Sequence, residues 1–138
     1  MSMYEKAFRL EIITPQEIVF RGDASSVSAP GAEGGFQVLV DHAPFLTVLG
    51  IGKITVKDTS GNDLVYAISG GFFEVVNNHA VVLADSAERQ DKIDVDRALA
   101  AKARALKLLQ AKDGRIDVAR AQASLARALN RIRVARPQ

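Results

Sequence analysis

The 138-residue sequence has no cysteine and no tryptophan, only four prolines, and two histidines. Without cysteine there is no disulfide framework, no thiolate metal site and no thiol nucleophile. His42 and His79 stand too far apart in sequence to suggest a histidine-based metal site. No apolar run approaches the roughly 18–20 residues needed to span a bilayer. The opening Met1-Ser2-Met3-Tyr4-Glu5-Lys6 lacks the basic-then-apolar pattern of a signal peptide, so a cytoplasmic address is expected. What is present, 48% hydrophobic and 25% charged residues, describes an ordinary globular chain rather than a disordered one.

The net charge of +2 hides a division near Glu88. Residues 1–87 hold five Lys/Arg against ten Asp/Glu, a net of −5; residues 88–138 hold thirteen against six, a net of +7. All eight Phe and Tyr residues and nine of ten glycines precede residue 88, whereas twelve alanines and the single Gly114 follow it. Two domains are expected, 1–87 and 88–138.

The first reads as strands. Period-2 alternation appears in Phe8-Arg9-Leu10-Glu11-Ile12 and continues in seven more short stretches, 18–20, 26–29, 36–40, 54–57, 64–68, 72–76 and 80–84. Turn residues separate them at Pro30-Gly31, Gly34-Gly35, Ser60-Gly61-Asn62, Gly70-Gly71 and Asn77-Asn78. Short strands at this spacing, with no helical pattern between them, predict an antiparallel β-sandwich.

The second reads as two helices. Val95, Leu99, Leu106 and Leu109 form one stripe, and Val118, Ala121, Leu125, Leu129 and Ile132 form another. The connection Lys112-Asp113-Gly114-Arg115 is short enough to make the helices antiparallel neighbours, with Gly114 expected to end the first in a left-handed conformation. Asp94 and Asp117 stand where helix N-caps belong. The few large aliphatics bury too little surface to offset the ordering of some forty residues, so the hairpin needs the sandwich, a ligand or a partner to stay closed. Arg120, Arg127 and Arg131 share one side of the second helix, and Arg97 and Arg104 one side of the first. A solvated basic face and a site for an anionic partner both fit that arrangement. Nucleic acid fits least, because no aromatic accompanies the arginines.

Chemistry-bearing motifs are missing. There is no GxxxxGK[ST], GxGxxG or HExxH, and Ser69-Gly70-Gly71 lacks the G-x-S-x-G of an esterase elbow. The glycine-rich 30–35 stretch opens no helix, which favours a turn over a phosphate cradle. No catalytic constellation and no metal site are expected.

Several stretches in order resemble the epsilon subunit of bacterial F-type ATP synthase: Ile13-Thr14-Pro15 with Val19-Phe20, Ala29-Pro30-Gly31-Ala32-Glu33-Gly34 leading to His42-Ala43-Pro44-Phe45-Leu46, Ser69-Gly70-Gly71-Phe72-Phe73-Glu74-Val75, and 81–88. The hairpin adds Ile93-Asp94-x-x-Arg97-Ala98 and 128–134. One stretch departs from the family pattern Gly-Glu-Phe-Gly-Val-Leu-Pro-Gly-His. Gly35 replaces the acidic residue, and Val40-Asp41 replaces the Pro-Gly before His42.

The resemblance implies a non-catalytic rotor subunit at the cytoplasmic face of the bacterial membrane, reaching the membrane only through its complex. Its sandwich would bind the gamma subunit and sit on the ring of c subunits, with Glu33, Gly34, Gly35 and His42 in the loop region that contacts the rotor shaft and the ring. The hairpin would be regulatory, permissive when folded down and inhibitory toward ATP hydrolysis when extended toward the alpha/beta catalytic hexamer. No cofactor is required, but ATP is implied as a regulatory ligand in some members. The matching residues here are Glu88, Ile93, Asp94, Arg97, Ala98, Arg104, Arg120, Arg127 and Arg131. The competing readings are a free-standing ATP-sensing module with a mobile basic hairpin and, less favoured, a hydrolase.

Overall fold

The structure, a computed structural model, describes residues 6–111 and 113–136. Residues 1–5, with Tyr4 and most of the opening read for a leader, and Lys112 of the inter-helix connection lie outside the described residues. The chain divides into two compact units between Gln90 and Asp91.

The first unit contains β1 (Phe8–Ile13), β2 (Ile18–Gly31), β3 (Gly34–Leu39), β4 (Phe45–Asp58), β5 (Asp63–Val76), β6 (His79–Ala84) and β7 (Ala87–Arg89). Three of these, β2, β4 and β5, are 14 residues long and serve both layers of a sandwich. One layer combines residues 45–49 of β4, 71–76 of β5, β6, β1 and 18–24 of β2. The other combines β3, residues 26–31 of β2, 51–57 of β4, 63–69 of β5 and β7. Between them lie Leu10, Ile12, Val27, Val38, Ile54, Val56, Ile68, Phe73, Val75 and Val82, all at most 1% exposed.

The long strands β2 and β5 each join two expected strands, and β7 is a strand the sequence did not suggest, so eight expected strands become seven. Gly70-Gly71, expected as a turn, lies inside β5 with φ of +108° and +132°. The strand passes from one layer to the other there, and a Cβ on Gly71 would overlap the Leu83 carbonyl oxygen. Pro30-Gly31 likewise ends β2, and the reversal is made by Ala32-Glu33 between paired Gly31 and Gly34. Asn77-Asn78 does form a two-residue hairpin turn, with φ of +50° and +60° between paired Val76 and His79. One pair departs from the antiparallel pattern: β1 runs parallel to β6 while its other edge pairs β2, so the first layer is closed by the chain's beginning. A boundary at 87/88 would fall within β7, where Glu88 faces Ala67 of β5.

A 3-10 turn, Gln90–Lys92, precedes α1 (Val95–Gln110), and α2 (Val118–Ala135) follows. Asp94 and Asp117 are both N-caps, each accepting the backbone N–H three residues on, from Arg97 and Arg120, at 3.0 Å. Gly114 does not have the left-handed role expected of it. Helix α1 ends at Ala111 in the right-handed region, and the Ala111 N–H donates to Leu108 O. Asp113 builds the turn around Gly114 instead: its carboxylate accepts from the Arg115 amide at 2.9 Å, and its carbonyl from Ile116 N–H. That removes the need for a glycine conformation.

The stripes also differ from expectation. The buried positions include Ala98 and Ala105 of α1 and Ala121 and Ala128 of α2, each pair seven residues apart. Leu99, Leu106 and Leu129 remain 36–38% exposed, and Val118 53%. Small side chains let two helices approach closely, which leaves the leucines at the margins of the seam.

Candidate functional site

The hairpin sorts its arginines by helical periodicity. Arg97 and Arg104 lie about 100–120° to one side of the Ala98/Ala105 line, and Arg120, Arg127 and Arg131 about 80–120° to the same rotational side of Ala121/Ala128. Between antiparallel helices, equal offsets bring all five to one side of the pair. The marginal Leu99, Leu106, Val118 and Leu129 fall on the other side. Arg97, Arg104, Arg120 and Arg127 are exposed, and Arg127 Nη2 donates to Ser124 Oγ at 3.1 Å; Arg131 is half-buried. The remaining motif residues have different surroundings. The Asp94 carboxylate is engaged as a cap, Ile93 is 9% exposed and Ala98 0%. Glu88 belongs to β7 of the first unit. Helical periodicity thus puts the five arginines on one side of the hairpin, and burial gives Ala98 a packing role.

Glu33, Gly34, Gly35 and His42 are not gathered in the same way. Exposed Glu33 and the two glycines stand at the start of β3, Gly34 with φ +137°. His42 follows the strand's other end. Six strand residues span on the order of 17–20 Å, so these residues mark opposite ends of β3. His42 is half-buried, its Nδ1 2.7 Å from the Ala43 carbonyl and its ring 5.7 Å from Phe45. Phe45 in turn meets Phe36 edge-on at 5.1 Å.

A third surface is made of residues that the sequence did not single out. In the first layer, register places Val48 of β4 opposite Phe72, Phe72 opposite Leu83, Leu83 opposite Ile13, and Ile13 opposite Ile18. Five adjacent strands therefore carry an apolar row on their outer side. Val48, Phe72 and Leu83 are 51–53% exposed and Ile18 46%; Leu46 adds a further 67% exposed side chain nearby. Charged residues border the row. Glu11 accepts from Arg21 Nε at 2.8 Å and lies 2.9 Å from His79 Nε2. The His79 hydrogen bond first, then that of Arg21, holds the Glu11 carboxyl below its ordinary value of 4.5. An apolar row of this breadth, rimmed by polar groups, marks an interaction surface. The signal was legible as adjacent apolar residues within strands, Phe72-Phe73 and Val81-Val82-Leu83, because alternation sends one of each neighbouring pair outward.

Two family models cover almost the whole chain: the β-sandwich domain of the ATP synthase delta/epsilon chain matches residues 7–90, and the long α-helix domain of the same chain matches 91–136. The chain belongs to the ATP synthase delta/epsilon family. Among curated relatives, the ATP synthase epsilon chain of Desulforamulus reducens is 48% identical over 94% of this chain and 98% of its own length. That of Salinibacter ruber is also 48% identical, over 91% and 90% respectively. A chain in the cryo-EM structure of Euglena gracilis mitochondrial ATP synthase (OSCP/F1/c-ring) shares the fold with a TM-score of 0.77 at 21% identity, over 88% of this chain and 76% of that one. A chain of the Tetrahymena thermophila mitochondrial ATP synthase central stalk and c-ring has a TM-score of 0.64 at 15% identity, over 93% and 96%. Sandwich and hairpin are thus the two domains of the family, in the family's order.

Proposed function

We propose that the chain is a non-catalytic central-stalk subunit of a bacterial F-type ATP synthase, held at the cytoplasmic face of the membrane through its complex. The apolar row on the first layer carries this reading. Its breadth across five strands suits a lasting contact with a rotor partner, for which the gamma subunit is the natural occupant. The end of the sandwich formed by the β2–β3 turn, with Glu33, Gly34 and Gly35, is the region assigned to the c-subunit ring. The curated relatives are named ATP synthase epsilon chain, and the solved neighbours come from F1/c-ring and central-stalk assemblies.

The hairpin is the regulatory element. Its small-residue seam and exposed leucines leave it two surfaces for alternative partners, an apolar margin and a basic side. Extended toward the catalytic subunits, the basic side opposes acidic segments and restrains ATP hydrolysis. ATP is the proposed regulatory ligand, because five arginines lie along one side of the hairpin and guanidinium forks pair phosphates bidentately. Calorimetric titration of the isolated chain with ATP tests the nucleotide, and binding to a complex depleted of this subunit tests placement. A chain that does not associate with such a complex is not a rotor subunit.

A further inference from the structure

Asp41 has the left-handed backbone, φ +62°, that most residues avoid. It follows Val40 in the segment where the sequence departs from the family's Pro-Gly, so an aspartate here adopts a conformation for which glycine is the easiest choice. The compensation is visible. The Asp41 N–H donates to Asn78 Oδ1 at 2.6 Å, and Asn78 Nδ2 donates back to Asp41 Oδ1 at 2.9 Å. Asn78 is itself left-handed, φ +60°, in the β5–β6 turn, and its carbonyl accepts the Arg9 N–H at 2.9 Å. One asparagine thus ties together the β3–β4 loop, the β5–β6 turn and the start of β1.

The tied loop leads directly into the apolar surface. After Asp41 come half-buried His42, exposed Ala43 and Pro44, and then Leu46 and Val48 of β4. Val76, 39% exposed, immediately precedes the Asn77-Asn78 turn. A loop free to move at this point would change the edge of the docking face with each excursion, and ordering it on binding would weaken the contact.

We propose that the reciprocal Asp41–Asn78 hydrogen bonds act as a clasp that positions the His42 loop for the rotor-shaft partner. Asp41 and Asn78 are positioning residues, acting through the loop rather than through contact of their own. The inference rests on the proposed placement of the first layer against that partner.

The experiment compares wild type, Asp41→Asn, Asp41→Gly and Asn78→Ala for affinity to the gamma subunit of the same synthase and for amide exchange across residues 40–44. Asp41→Asn keeps the amide donor and the Oδ1 acceptor, so its affinity stays within about twofold of wild type. Asp41→Gly relieves the backbone and removes only the bond from Asn78 Nδ2, since its main-chain N–H still faces Asn78 Oδ1, so it weakens binding less and keeps the amide protected. Asn78→Ala removes both reciprocal bonds, weakens binding about tenfold and loses the protection of the residue-41 amide. Equal affinity of wild type and Asn78→Ala would overturn the clasp, because that variant lacks both reciprocal bonds. Free exchange of the Asp41 amide in wild type would overturn it even if a variant failed to fold. If wild type itself does not bind gamma, the rotor placement fails instead; amide exchange still reports the clasp separately.

Discussion

Phe72 and Phe73 are neighbours in β5 and point to opposite sides of one layer: Phe73 is fully buried, while Phe72 is 53% exposed. Phe73 meets Phe36 at 5.0 Å within the core, and Phe72 pairs across the outer side with Val48 and Leu83. Core packing and the exposed apolar row are separated between two adjacent identical side chains.

Substitution should separate them experimentally. Phe73→Ala is expected to destabilise the sandwich by about 3–5 kcal/mol, since it leaves a large cavity. Phe72→Ser should cost only about 1 kcal/mol, through its lost cross-strand pairs with Val48 and Leu83. Denaturant unfolding of both variants, followed by β-sheet signal, provides the comparison.

Gly71 makes a sharper backbone prediction. Gly71→Ala places a Cβ against the Leu83 carbonyl in a strand whose φ is +132°. Both the overlap and the backbone conformation oppose it. Expected is a fall in melting temperature of several degrees or more, whereas Gly61→Ala, whose Cβ meets nothing within 4 Å, incurs only the strain of φ +87°.

The sequence made some elements plain and obscured others for identifiable reasons. Alternation and turn residues located most strand segments, and Asp94 and Asp117 declared both helix starts through a local hydrogen bond that needs no tertiary information. Gly70-Gly71 was misread because a glycine pair has the same local freedom in a turn as in a strand that bends between layers. The helix stripes were legible in part: Ala121 is buried as expected, but Leu99, Leu106 and Leu129 stand at the margins because hydropathy ranks leucine above alanine, while close helix approach selects the smaller residue. The arginines' common side followed from periodicity alone. The apolar row needed register: Val48, Phe72, Leu83, Ile13 and Ile18 become neighbours only when five strands are aligned.

The helix caps provide a test of the hairpin. Asp117→Ala should lower the stability of α2 by about 1 kcal/mol through loss of the bond from the Arg120 amide. Asp94→Ala should act similarly on α1. Thermal melts followed by helical circular dichroism measure both, and Asp117→Asn, which retains a capping oxygen, should restore most of the loss.

Glu11 sets a pH dependence. Its folded carboxyl lies below the ordinary value of 4.5, so the unfolded chain takes up its proton first as pH falls. Its contribution to stability is complete above about pH 4.5 and is lost as pH drops through the lowered folded value. Glu11→Gln should flatten that part of the acid limb without changing its neutral-pH shape. Urea unfolding at a series of pH values below 5 is the measurement.

Regulation predicts the effect of truncation. Ending the chain after Gln90 retains β7 and its pairing with Tyr66, Ala67 and Ile68. The shortened protein should remain folded and, assembled into the synthase, should raise ATP hydrolysis relative to the full chain. Unchanged hydrolysis would assign the hairpin another role.

The most direct measurement is co-purification of the full chain with the gamma subunit from assembled synthase, wild type beside Phe72→Asp. Phe72 lies in the apolar row between Val48 and Leu83, and a charge there must be desolvated in any contact that covers it. Wild type is expected to be retained with gamma, and Phe72→Asp to be lost by tenfold or more while keeping its fold. Absence of wild type from the complex, or undiminished recovery of folded Phe72→Asp, would contradict a rotor subunit docked through this face.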